Sequence, residues 1–205
     1  MVQSVELVLD PVLEDRVRAQ WRVLMAADLP SQGRHTGPTN RPHVTLTVAQ
    51  GVGPEHEQRL VEAVAAGPRL PLAVRLGGLV LLGAHKHVLA RLVVPSADLL
   101  RLQSAVHASW GDALHVPQHL APGAWTPHVT LAMHLTDTQV GQALTALRRM
   151  PEAGPGSGPD DDGEAVAVRR WDSTARAVWE PNGPLEPSGP AQPDGPTQPD
   201  GPEPA

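Results

Sequence analysis

The chain has 205 residues, a formal net charge of -6 and no cysteine, phenylalanine or tyrosine. It is long enough to bury a sizeable core, while disulfides, thiol nucleophiles and thiolate metal sites are excluded. The charge is unevenly spread: residues 151–164 hold five acids, residues 181–205 hold four, and neither segment has a base. Setting those nine aside leaves thirteen acids against sixteen bases, a net charge of +3, which suits a phosphate-bearing ligand but is too weak to wrap duplex nucleic acid.

The opening stretch, MVQSVELVLD, has no basic region and carries Glu6 and Asp10, and no run of about 18 apolar residues follows. Neither export nor membrane insertion is expected, and a cytoplasmic monomer is. VQSVELVL reads as a strand. PVLEDRVRAQWRVLMAADL then places Leu13, Val17, Trp21 and Leu24 on one helical stripe. HVTLTVA is a second strand, PEHEQRLVEAVAAG a helix opened by Pro54, and LAVRLGGLVLL a third strand. His85-Lys86-His87 marks a hairpin turn, although its spacing also resembles a ligand pair.

HVLARLVV is the next strand, and SADLLRLQSAVHASW a helix with Leu99, Leu102, Val106 and Trp110 on one face. HVTLAMHL is a strand, and TDTQVGQALTALRRM a helix with a capping box at Thr136 and Gln139. PEAGPGSGPDDDGE (151–164) has the composition of a flexible acidic loop. EAVAVRRW and ARAVWEP, joined by DST, predict a closing hairpin. From Pro181 to Pro202 proline recurs at every third position, which predicts a disordered, solvated tail of polyproline II character over 181–205.

The order strand, helix, strand, helix, strand occurs twice, and in each round the middle strand opens with Pro-His-Val-Thr-Leu. His43 and His128 are 85 residues apart, and the same offset carries Leu7-Val8 onto Leu92-Val93. A duplicated unit is expected, with repeats of about 1–83 and 84–180 forming one domain over 1–180.

On a strand, His43, Thr45, Thr47 and Ala49 face one way and Val44, Leu46 and Val48 the other; His128, Thr130, Ala132 and His134 alternate likewise with Val129, Leu131, Met133 and Leu135. With the aliphatic faces under helices, the two His-Thr pairs would confront each other across a cleft. Two imidazoles can take a proton from an attacking oxygen and give one to a leaving oxygen near neutral pH. Two hydroxyls can stabilise charge on the non-bridging oxygens of a phosphate. No cofactor is required, and no carboxylate flanks the motif histidines as a zinc site would want.

The paired motifs His43-Val44-Thr45-Leu46 and His128-Val129-Thr130-Leu131 resemble the H-x-T-x signatures of the two-histidine (2H) phosphoesterases, which include 2'-5' RNA ligases and RNA 2',3'-cyclic phosphodiesterases. The resemblance implies an α+β, two-lobe LigT-like fold, with antiparallel sheets flanking a central cleft and helices outside. It implies a metal-independent phosphodiesterase acting on an RNA or nucleotide 2',3'-cyclic phosphate or 2'-5' linkage. By analogy with the ligase-like members, His43 would be the acid and His128 the base, with Thr45 and Thr130 binding phosphate. The competing reading is a non-catalytic RNA or nucleotide binder using the same cleft. Trp125 and Trp171 are the candidate base-stacking platforms, and Arg34, Arg41, Lys86, Arg169, Arg170 and Arg176 the candidate phosphate clamps.

Overall fold

The computed structural model describes residues 2–150, 161–175 and 177–181. Its elements run β1 (Gln3–Leu9), α1 (Pro11–Ala26), β2 (His43–Ala49), α2 (Pro54–Ala66), β3 (Leu72–Leu82), β4 (His87–Val93), α3 (Ala97–Ser109), β5 (His128–Leu135), α4 (Asp137–Arg148), β6 (Asp161–Asp172) and β7 (Ala177–Trp179). The α+β class and the twice-run element order are those expected from the sequence.

Local chemistry sets the helix starts. Asp10 accepts hydrogen bonds from the backbone N–H groups of Val12 and Leu13, and Pro11 costs no donor in the first turn of α1. Thr136 and Gln139 form the anticipated capping box on α4. The α1 stripe and the α3 stripe are both buried, with Leu24, Leu99, Leu102, Val106 and Trp110 fully so. Each such leucine contributes about 1.5–3 kcal/mol by leaving water.

All strand pairings are antiparallel, in the order β1-β2-β5-β4-β3-β6-β7, with a further β1–β6 pairing. The set closes on itself because β6 serves both halves: Asp161 to Ala165 pair with β3, and Ala165 to Asp172 pair with β1. The two expected antiparallel halves are thus joined in one seven-stranded set.

Three details depart from the sequence reading. Residues 161 to 164 of the acidic loop are the opening of β6. Acidity suggested a solvated segment, but the first two charges have basic partners: Asp161 is buried between Arg16 and Arg91, at 3.3 and 3.2 Å, and Asp162 meets Arg75 at 2.6 Å. Gly163 permits the close approach of β6 to the start of α1, since a Cβ there would lie 2.6 Å from Asp10 Oδ2. Residues 151–160 lie outside the described residues, as does the tail beyond Pro181; Pro181 itself is buried.

The second departure is register. Val8 pairs with His43 and Leu92 with His128, so the first strands correspond at an offset of 84, and the Leu-Val match at 85 is one residue out of structural register.

The third is a bulge in each motif strand. Pairing slips at Leu46 against β1 and at Leu131 against β4, the same place in both repeats of the phrase. Beyond it the alternation reverses. Thr47, Ala49 and Ala132 are buried instead of facing the open side, while Met133 is exposed. A second slip follows near His134, which adopts φ of 62°.

Candidate active site

The two phrases are brought side by side. β2 and β5 pair at Val44 and Val129, and that register sets His43 opposite Thr130 and Thr45 opposite His128. All four lie on the face opposite the buried valines. Cross-strand neighbours in such a pair have Cβ atoms about 4.5–5.5 Å apart, so the group spans the dimensions of one phosphoryl unit.

Each histidine is anchored in the same way. His43 Nδ1 lies 2.7 Å from the carbonyl of Arg41, and His128 Nδ1 lies 2.7 Å from the carbonyl of Thr126. A carbonyl only accepts, so Nδ1 carries the hydrogen in both and Nε2 is left for chemistry. The backbone is pinned too: Trp125 Nε1 donates to the Thr45 carbonyl and Trp21 Nε1 to the Thr130 carbonyl, each at 3.0 Å. Trp125 is therefore a buried support, not a stacking surface.

Electrostatics separates the two. Burial pushes His128 below the usual histidine range; the bond to the Thr126 carbonyl opposes this, and the charges of His43 and His119 add to it. Beside His43 stands a carboxylate: Glu6 Oε1 is 3.6 Å from His43 Nε2. Glu6 is 5% exposed, accepts from Ser4 Oγ at 2.7 Å on Oε1 and from Arg169 Nε at 2.7 Å on Oε2. Burial drives the Glu6 carboxyl up, but His43, Arg169 and the hydrogen bonds from Ser4 and Arg169 prevail and hold it below the usual range.

A pocket of about 380 Å³ opens next to His43, lined among others by Glu6, His35, Asn40, Arg41, Arg169 and Trp171. Its loop wall is built by Asn40, whose amide donates to the carbonyls of Gln32 and His35, and by Arg169, which donates to the Thr39 carbonyl. Of the anticipated cations, Arg41 and Arg169 border this pocket, though Arg41 is held by Glu14 and Arg169 by Glu6. Arg34 instead pairs with Asp28, Arg170 is spent on Gln3, Glu57 and Asp172, and Lys86 sits in the exposed β3–β4 turn. Arg176 lies outside the described residues. Trp171 borders the pocket, as a platform would. His87 is bonded to Gly83 and Asp137 in the hairpin turn, and among the described residues no three His, Asp or Glu side chains group as a metal site.

Glu6, Ser4 and His119 were not recognised from sequence as part of the site. For Glu6 the available clue was Ser-x-Glu alternating within an aliphatic strand, which sets both polar groups on one face.

The 2'-5' RNA ligase superfamily model matches residues 11–156. The chain belongs to this superfamily, one of the two-histidine phosphoesterases. Among solved structures it is similar to TT0787 of Thermus thermophilus, with 16% identity, 91% of this chain and 96% of that one covered, and a TM-score of 0.51. It is also similar to Usb1 of Kluyveromyces marxianus, with 15% identity, coverages of 87% and 96%, and a TM-score of 0.47. Comparison with curated proteins gives no match. At such identities the likeness to TT0787 speaks for the fold alone, and no helix among the described residues is long and apolar enough to cross a membrane.

Proposed function

We propose that this superfamily member is a metal-independent phosphodiesterase that opens a 2',3'-cyclic phosphate, or cleaves a 2'-5' linkage, in RNA or a nucleotide. The observation that carries the reading is the pairing of His43 and His128 on adjacent strands, each with Nδ1 tied to a carbonyl and Nε2 left for proton transfer. His128 Nε2 takes a proton from water as the water oxygen bonds to phosphorus. The bond from phosphorus to the leaving ribose oxygen breaks, and His43 Nε2–H gives that oxygen its proton. Thr45 and Thr130 donate to the non-bridging oxygens, where negative charge builds up. His43 ends neutral and His128 protonated, and exchange with solvent restores both.

The lowered proton affinity of His128 favours this order, because a base must be neutral when water arrives. The proposed unit is residues 1–180, built from repeats of about 1–83 and 84–180, with 181–205 appended, acting as a cytoplasmic monomer.

Incubation with a nucleoside 2',3'-cyclic phosphate in excess chelator tests the reading. Release of the monophosphate is expected. Tight binding without turnover would instead identify a non-catalytic RNA or nucleotide binder, and activity restored only by a divalent ion would remove the histidine pair as the catalytic engine.

A further inference from the structure

The two His-Thr pairs are identical in sequence, yet the strands beside them differ. Opposite Thr45 stands Glu6, which β6 flanks with Arg169; opposite Thr130 stands Ala90, which β3 flanks with Val80. One half thus carries a buried ion pair where the other carries two aliphatic side chains. Burying a carboxylate strips it of water, a cost that only close, well-directed partners offset. Glu6 uses one oxygen on Arg169 and shares the other between Ser4 and the Nε2 edge of His43. Stabilising the sheet would not require a carboxylate aimed at the reactive nitrogen, since the apolar pair does that work in the other half.

We infer that Glu6 is a positioning residue whose fixed carboxylate faces the Nε2 edge of His43 and gives that histidine, and not His128, the role of acid. The inference rests on the proposed phosphodiesterase reading and adds the group that breaks its symmetry. Arg169 and Ser4 fix the carboxylate, so that it neither swings into the phosphate site nor takes the proton itself. The other polar and charged groups facing His43 are His128 from β5, His35 and Arg41 from the loop before β2, and Glu14 of α1 behind Arg41. Among the described residues, Glu6 is the carboxylate that lies within 4 Å of Nε2.

The test compares wild type with Glu6→Gln, which keeps the shape and can still meet Ser4 and Arg169. The pH-rate profile on a cyclic nucleotide and the NMR titration of the His43 Cε1 proton are both recorded. Loss of the carboxylate 3.6 Å from Nε2 should bring the alkaline limb and the measured His43 midpoint down, lowering kcat about tenfold on that limb with KM little changed. The acid limb should stay in place. Ser4→Ala, which frees the oxygen facing His43, should move the His43 midpoint the other way, and it serves in place of Glu6→Gln if that variant does not fold. An unmoved His43 midpoint in the folded variant would reduce Glu6 to a sheet ion pair. Absence of turnover in wild type would instead fail the phosphodiesterase reading, while the NMR titration would still decide the Glu6–His43 coupling.

Discussion

β2 and β5 share a phrase, a bulge at the fourth residue of the H-x-T-x motif, an Nδ1-to-carbonyl anchor and an indole donating to the threonine carbonyl. They differ in what lies alongside: Glu6 and Arg169 for β2, Ala90 and Val80 for β5. What the proposed chemistry needs twice is therefore duplicated, and the difference that the proposal requires between acid and base lies on the neighbouring strands.

The largest effects should come from the shared parts. His43→Ala and His128→Ala should each lower turnover by roughly 10²- to 10⁴-fold, with melting temperatures close to wild type, since both side chains lie on the open face. A variant retaining near-wild-type turnover would remove that histidine from the pair. Thr45→Val and Thr130→Val keep the branched shape but delete a donor, and should cost about 10²-fold in kcat without moving either limb of the pH profile. A shifted limb would mean that the hydroxyls tune the histidines and do not hold the phosphate.

The unshared parts should act on pH dependence. With His128 lowered by burial, the acid limb should fall below the ordinary histidine value of about 6.5. Removing the positive charge at His119 by His119→Gln should move that limb slightly upward, read from the same profile. Stability follows the same sign. As pH falls below about 6.5 the unfolded chain protonates this histidine while the folded chain resists, so melting temperature should decline through the window down to the lowered folded value. In His128→Ala that part of the decline should vanish.

The smallest effects test whether the two indole supports are equivalent. Trp21→Phe and Trp125→Phe each delete a donor to a motif carbonyl and should cost about 1–2 kcal/mol, roughly 2–8 °C by calorimetry. A loss confined to one of them would show that the two motif strands are not supported alike.

Much of this was legible in the sequence. The helical stripes at Leu13, Val17, Trp21 and Leu24, and at Leu99, Leu102, Val106 and Trp110, are spaced by the helix period and are buried as the spacing demands. The motif residues His43, Thr45, His128 and Thr130 were marked by repetition of a five-residue phrase. The bulges were not legible, because a strand's period predicts continued alternation and nothing in Leu46 or Leu131 announces an extra residue. Glu6 was hidden for another reason. A lone acid in a short aliphatic strand reads the same whether it faces water or a buried arginine, and its partner at Arg169 lies 163 residues away. Asp161 and Asp162 were misplaced for the same cause, their arginine partners being distant in the chain.

The pairing of β3 bears on how the chain assembles. Both of its neighbours, β4 and β6, come from the second half of the chain, and β6 in turn leans on β1 and β3 of the first. A polypeptide consisting of one half would own a third strand with nothing to bond to, except in another copy of itself. Two such copies trading third strands would reproduce the present ring, with one motif histidine from each. The chain thus holds the strand exchange of a swapped dimer within a single polypeptide. A self-associating half would set the same neighbour beside both motif strands, whereas a single polypeptide can carry Glu6 beside one and Ala90 beside the other.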